Sequence, residues 1–404
     1  MADNKNNNKK YLAIIVQYKA IDSIKTTYGF VLKKLSESFD QIYFINCEKL
    51  ELFYKKHNHD LSYIKKSIPD NFILFEPQNT KEFSDFLKDK NILVINTFGR
   101  YFQSFKILYL LKKFNIKQVQ INNVGQNNWS QITNLKNPIK TITYKTSKLT
   151  QRLSLILANL GLLQKVDIRF VSNRVFLKNI KKNRIKNFLY KNNFFFAKEL
   201  IEVNSMASDI LNNEKQSITE DYIVHLDASL NYYHETELRG MLPKEEIEKH
   251  YFYLNKFLKN LSKTFHKEIK VCIHPMYDLS EHQKNLPDFE IIKFKTRDYI
   301  YKAFLVTHFD SSAIVDAVLL RKKIIGIISD TMTKNEQEHS KAYSDLIGYM
   351  KLNSKENKFD KTSLLIQLNK NVTNYEYYIN NYLQFDKNSL GIQKIINTMK
   401  ERYF

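Results

Sequence analysis

Cysteine is scarce: of 404 residues only Cys47 and Cys272 carry a thiol. Two cysteines cannot build a disulfide framework, so a reducing compartment is the expected setting. Glycine and proline are also few, at 8 and 6, which excludes collagen-like and Gly/Pro-rich disordered chains. The longest strongly apolar run, Leu153 to Leu163, falls well short of the roughly 20 residues that cross a bilayer. The opening MADNKNNNKK lacks the apolar core of a signal peptide. Secreted, membrane-spanning and fibrous classes are therefore not expected. What remains is 43% hydrophobic and 26% charged, the balance of a soluble protein with a sizeable core. At about 100–200 residues per domain, the length suggests two domains.

Acidic residues are missing from one long stretch. From Lys90 to Lys198 there are 21 Lys and Arg against one acid, Asp167, so this segment carries +20 of the total +21. A coding bias visible in KNNNKK (residues 5–10) accounts for some of the lysine but not for the missing acids. Such concentration implies a contiguous positive field facing an anion: a phospholipid surface, an acidic or phosphorylated acceptor, or nucleic acid. Arg174 to Phe196 interleaves cations with Phe, Leu, Ile and Tyr, a mixture that suits an interfacial helix on anionic lipid. The same pattern also fits a solvated helix whose aromatics pack inward. No RNA-recognition sheet motif, zinc-finger spacing or zipper is present, so nucleic acid is not the expected partner.

Short apolar runs alternate with helical patterns twice along the chain. In the first half, strands are expected at residues 11–17, 41–47, 72–76, 92–96 and 117–121; in the second half, at 222–227, 269–274, 289–293, 303–307 and 323–328. Near-continuous apolar strands separated by helices argue for parallel sheets covered on both faces. Ile247, Tyr251, Leu254, Leu258, Leu261 and Phe265 form one helical stripe behind Pro243, a core-packing helix. Helices are expected again at 374–383 and 390–404. The expected fold class is α/β, two facing Rossmann-like doubly wound domains: a first domain at 1–172, a basic and polar connection at 173–220, and a second domain at 221–404 carrying the terminal helices.

In open α/β sheets ligands bind beyond the carboxyl ends of the strands, and several chemistry-bearing residues fall there. His274 ends VCIH and is followed by Pro275, which biases the preceding residue to extended geometry. FLVTHFDSSAIVDAVLL reads as a strand, a turn and a helix starting near Ser311-Ser312. Hydroxyls and free amides at such a start suit a phosphate, and equally suit a plain cap. Lys295 and Thr296 supply a third contact at the same rim. A phosphate between these groups would be stabilised as a leaving group when its bond to a sugar breaks. In the first half, Arg100, Asn123 and Gln126 sit in the loops after two strands and are candidate acceptor-side residues, or simple turn residues. Asp227, ending YIVHLD ahead of His234, Glu235 and Glu237, is the leading catalytic carboxylate, with an Asx turn as the alternative; Glu76, ending FILFE, is the other candidate base. His308 and Asp310 also fall near the expected phosphate site.

His274-Pro275 followed by Ser311-Ser312 resembles the His-Pro and Ser-Ser motifs of bacterial sialyltransferases and polysialyltransferases, with similar elements in Kdo transferases. The run from Tyr222 to about Gly326 is also similar to surface-polysaccharide synthesis proteins. The resemblance implies the GT-B fold, a CMP-sugar donor whose phosphate meets His274, Ser311 and Ser312, and no cofactor or essential metal. It implies transfer of a nonulosonic acid or Kdo to a capsule or lipopolysaccharide acceptor. A cytoplasmic enzyme, attached peripherally to the inner membrane through its basic segment, is the corresponding expectation. The likeness covers the second half; the first matches in layout alone. The acidic-pair-glycine motif that supplies the base in sialyltransferases has no counterpart, since none of the 8 glycines follows an acidic pair. A GT-B transferase using a UDP- or GDP-sugar or CDP-glycerol, a basic nucleic-acid-binding protein, and a non-catalytic paralogue therefore stay open.

Overall fold

The computed structural model describes residues 10–16, 30–50, 71–88, 91–96, 104–122, 156–157, 160–182, 197–213, 220–227, 244–274, 279–309, 311–332 and 334–404. The chain divides into two compact units, one holding most residues up to Asp209 together with Phe385–Phe404, the other holding Ile210–Gln384.

The first unit is built on a parallel sheet of β1 (Tyr11–Val16), β2 (Gln41–Asn46), β3 (Phe72–Phe75), β4 (Ile92–Asn96), β5 (Lys117–Asn122), β6 (Ile168–Val171) and β7 (Glu199–Glu202), in the order β3-β2-β1-β4-β5-β6-β7. Both faces are buried, because successive side chains of a strand point to opposite sides. On one face Leu12, Ile14, Ile42, Phe44, Leu93 and Ile95 pack against Val31 and Leu35. On the other, Ala13, Tyr43, Ile45, Ile92 and Val94 pack against α1 (Thr80–Lys88) and α2 (Phe105–Lys113). Helix α3 (Arg174–Lys182) turns Leu177 and Ile180 inward and leaves Lys178, Lys181 and Lys182 exposed. Where it is described, the basic stretch from Arg174 thus packs its apolar residues within the unit. Residues 183–196 of that stretch lie outside the described residues.

The region read from sequence as a connection, 173–220, holds α3, β7 and α4 (Met206–Asn213), and β7 completes the first sheet. The last helix departs from the sequence grouping as well. Helix α12 (Gly391–Tyr403) inserts Ile392, Ile395, Ile396 and Met399 into the first unit's core. Asp209, fully buried, accepts the backbone N–H of Gly391 at 2.8 Å and of Ile392 at 2.6 Å. Asn204 clasps the preceding turn, donating to Asp386 O and Ser389 O and accepting from Phe385 N. These bonds satisfy amides that a helix start leaves open.

The second unit carries β8 (Tyr222–Asp227), β9 (Ile269–Ile273), β10 (Glu290–Lys293), β11 (Ala303–His308), β12 (Lys323–Ile328) and β13 (Met350–Asn353), all parallel, in the order β10-β9-β8-β11-β12-β13. Helix α5 (Lys244–Phe265) lays Tyr251, Leu254, Leu258 and Leu261 on one face against Ile223, Val271, Ile273 and Leu305. Helix α6 (Leu279–Asn285) follows β9, α7 (Thr296–Tyr301) follows β10 and α8 (Ile314–Leu319) follows β11. The remaining helices are α9 (Lys334–Ile347), α10 (Lys361–Thr373) and α11 (Tyr375–Tyr378), the last running into one π turn at Ile379–Leu383.

Candidate functional site

Because all six strands of the second sheet are parallel, their carboxyl ends share one edge. The chain leaves β8 towards β9 and β10, then returns to place β11 on the other side of β8. The crevice between β8 and β11 is therefore the topological switch point, where such sheets bind ligands.

Asp227 ends β8 in register with Ile273, and His274 follows one residue further, exposed at the edge. Alternation along β9 sets Val271 and Ile273 on the α5 face and Cys272 on the opposite one. Continued past the strand end, the same alternation assigns His274 to the face of Cys272, away from Asp227. Cys272 shares a hydrogen bond with Thr296, and burial pushes its thiol up to about 12, so it is a neutral packing group. Lys295 is exposed at the cap of α7. Phe294, just before it, is held at φ 71°, a left-handed backbone that is unusual for a bulky side chain. Pro275 lies outside the described residues.

Helix α8 starts later than the hydroxyl pair suggests. Ala313 is its N-cap residue, and Ser311, Ser312 and Ala313 form a tight turn closed by bonds from Ile314 N, Val315 N and Asp316 N to the carbonyls three residues back. Ser311 Oγ accepts Ala313 N at 3.4 Å, while Ser312 is exposed. Arg297, in the first turn of α7, donates through Nε to Asp316 Oδ2 of α8 at 3.2 Å. Burial raises the Asp316 carboxyl and Arg297 opposes that rise. This pair ties the element bearing Lys295 and Thr296 to the element bearing Ser311 and Ser312. Asp310 lies outside the described residues.

The α5 face of the same edge is lined by a closed polar cluster. Asp227 Oδ2 accepts from the Tyr251 hydroxyl at 3.2 Å and lies 3.4 Å from His282 Nε2, with both side chains of the Asp227–His282 pair only 1% exposed. His250 stands beside them, its ring 4.9 Å from that of Phe309. His225, two residues before Asp227, shares a 3.0 Å hydrogen bond with Thr307. Burial depresses His225 and His250 to about 4, against an upward pull from Asp227. Both are neutral at physiological pH.

His308 ends β11 on the opposite face, buried with its ring 4.9 Å from that of Tyr349. Gly326 of β12 makes room for this pair: a Cβ there would come within 2.8 Å of the Tyr349 ring. After β12, Ser329 and Thr331 share a buried 2.7 Å hydroxyl contact at the same edge. Sequence reasoning passed over this hydroxyl pair, although SDT directly after an apolar strand is the same signal as DSS after β11. It also passed over His225, His250 and His282, whose meeting at Asp227 no spacing in the sequence reveals.

In the first unit, Glu76 follows β3 half-buried and accepts from Asn46 Nδ2 at 3.3 Å. Asn96, ending β4, donates to Gln118 at 2.9 Å. Arg100, Asn123 and Gln126 lie outside the described residues, as do His234, Glu235 and Glu237. Asp167, the one acid of the basic stretch, is bound to Lys198 at 2.7 Å and accepts Gln118 N.

No family model matches the chain, and no curated protein matches it. Solved structures do. The wall teichoic acid polymerase TagF in an Asn-for-His variant soaked with CDPG is 12% identical, with a TM-score of 0.55 over 97% of this chain and 88% of that one. A second variant of TagF, with Ala for His, is 13% identical, with a TM-score of 0.55 over 98% and 89%. The unsubstituted polymerase is 11% identical, with a TM-score of 0.53 over 97% and 89%. At such identity the likeness speaks for architecture alone, and with the two parallel doubly wound sheets it shows that this chain has the GT-B fold.

Proposed function

We propose that the chain is a transferase that takes its group from a cytidine-nucleotide-activated donor, the donor phosphate resting on the carboxyl edge of the second sheet. One observation carries this reading. On the carboxyl edge of the second sheet stand an exposed imidazole, His274 after β9, Lys295 and Thr296 after β10, and Ser311 and Ser312 after β11, and the Arg297–Asp316 pair fixes the two hydroxyl-bearing elements to each other.

In this reading the His274 imidazole and the Ser311 and Ser312 hydroxyls stabilise the negative charge that grows on the phosphate as the bond to the transferred group breaks. Lys295 adds a fixed positive charge. The acceptor hydroxyl must lose a proton to a base within hydrogen-bond reach. Asp227, closed off by Tyr251 and His282, acts at one remove by holding those two side chains under the edge. Glu76 remains the carboxylate candidate on the acceptor side. The transferred group is a nonulosonic acid or Kdo from its CMP ester, and the acceptor is a bacterial surface glycan whose negative charge suits the basic first unit.

A second reading, glycerol phosphate from CDP-glycerol, is favoured by the CDPG-soaked polymerase among the structures of the same fold. Both readings share the cytidine nucleotide. A thermal-shift panel of CMP, CDP, UDP and GDP tests what they share, because a ligand that binds only the native state adds about 2.7 kcal/mol of stability at a hundred times its Kd. Selective stabilisation by CMP or CDP is expected. Equal shifts from all four, or none from cytidine nucleotides, would overturn the reading. Turnover of a CMP-sugar against CDP-glycerol then separates the two donors.

A further inference from the structure

We infer that Phe294 is the platform on which the nucleobase of the donor stacks. The inference rests on the donor reading above, and its test separates the two.

Phe294 is held in a conformation that its own side chain opposes. Its φ is 71°, a left-handed backbone that crowds the Cβ of an L-residue and is an outlier for a bulky one. The other described non-glycine residues in that region are Asn115, His266 and Arg321. All three are polar, and each stands within two residues of the end of a helix, α2, α5 or α8. There a left-handed residue is the ordinary helix stop. Phe294 is at no such stop: β10 ends at Lys293 and α7 begins at Thr296. Glycine or asparagine would make the same turn with less strain. Yet the chain keeps an aromatic residue here, 41% exposed. Backbone strain of this kind gathers where a side chain is presented to a ligand.

The position is that of a nucleoside beside the phosphate edge. Strands β9 and β10 pair Cys272 with Ile292 and Ile273 with Lys293. Carried one residue further, this register sets Phe294 next to His274, neighbouring strands lying about 4.8 Å apart. Lys295 and Thr296 follow Phe294 directly, and Thr296 is tied back to Cys272 by a hydrogen bond. Only two Cα steps of about 3.8 Å separate Phe294 from Thr296. A phosphate held by His274, Lys295 and Thr296 therefore leaves its nucleoside within reach of the phenyl ring. The Lys293 ammonium stands 5.1 Å from the ring centroid, an attraction that steadies the ring at the edge. Every base has a π-face, so stacking supplies affinity and leaves the choice of base to hydrogen bonds from other groups. The ligand class is a nucleotide, and in the donor reading the stacked ring is cytosine.

The test is calorimetric titration of the full chain with CMP and with ribose 5-phosphate, which has the sugar and phosphate but no base. Wild type is compared with Phe294→Tyr, Phe294→Leu and Phe294→Gly. Wild type should prefer CMP, and the tyrosine variant should keep that preference. The leucine and glycine variants should lose about tenfold or more in CMP affinity, the order of one stacked base, and hold ribose 5-phosphate as before. The cytosine ring protons of CMP should move upfield on binding wild type, through the ring current of the phenyl group, and not on binding Phe294→Leu. Phe294→Gly should melt no lower than wild type, because glycine takes a positive φ without strain. Equal CMP affinity in wild type and Phe294→Leu would overturn the inference and leave the donor reading standing. So would equal losses for CMP and ribose 5-phosphate with a lowered melting temperature, which would make Phe294 a residue of the fold. No CMP binding by wild type would overturn both.

Discussion

Lowering the pH from 7 to 4 should unfold the second unit through histidines sealed beneath the candidate site. His225 and His250 are buried and depressed to about 4, whereas in the unfolded chain they titrate near 6.5. Between those values the unfolded state takes up a proton that the folded state refuses. Stability from each imidazole is therefore complete above about pH 6.5 and drains away as pH falls towards 4. At 1.36 kcal/mol per pKa unit, each contributes about 3 kcal/mol by the bottom of that window. Two such groups match much of the 5–15 kcal/mol by which a domain is stable. The assay is urea unfolding at half-unit pH steps, comparing wild type with His250→Phe, which keeps a ring against Phe309 and removes the titration. The variant should lose about half of the histidine-derived slope between pH 6.5 and 4. Asp209 in the first unit runs the other way: raised to about 6 by burial, it favours the folded state when protonated, so its contribution shrinks as pH rises from 4 to 6. Taking the difference between variant and wild type cancels that term. Superimposable pH profiles for the two proteins would refute the reasoning.

Three further outcomes follow from the packing. Asp209→Ala removes the acceptor for Gly391 N and Ile392 N; a loss of about 2–3 kcal/mol from the first unit, with faster proteolysis at 385–390, is expected by urea titration and limited digestion. Gly391→Ala would set a Cβ 2.3 Å from the Asn204 carbonyl; because backbone must shift, a cost of about 1–3 kcal/mol or more is expected in melting experiments. Asp227→Asn takes the charge from beside Tyr251 and His282; a fall in stability of about 1–3 kcal/mol, with nucleotide affinity changed less than by removal of His274, would mark it as a positioning residue.

The strands were legible where they are apolar throughout, as in YLAIIV, QIYFIN and AFLVTH, because a strand buried on both faces needs no alternation. IRFV, ELIE and MKLN were not, since four residues carrying Arg169, two glutamates or Lys351 offer too little apolar signal. ELIE and MKLN form the edge strands β7 and β13, where half-buried polar groups are tolerated. Helix α12 was legible as a helix, but not the sheet against which it packs. That choice is made by Asp209 and Asn204, whose partners lie more than 180 residues away in sequence. At the site, His274, Ser311 and Asp227 could be placed on the edge from sequence, because a strand's end locates its last side chain. The split into two faces could not: it depends on strand parity and on Tyr251 and His282 arriving from helices after β8 and β9. The hydroxyl pair also looked like a helix cap, whereas a turn of three-residue bonds precedes α8 and leaves that role to Ala313.

Calorimetric titration of CMP and CDP into the wild-type chain, His274→Ala and the double variant Ser311→Ala/Ser312→Ala tests the phosphate edge most directly. Saturable cytidine-nucleotide binding by the wild type is predicted, weakened at least tenfold in each variant, with the serine variant losing in addition the small stability of the Ser311 Oγ bond to Ala313 N. Affinities that do not change on losing the imidazole or the hydroxyls would contradict the account.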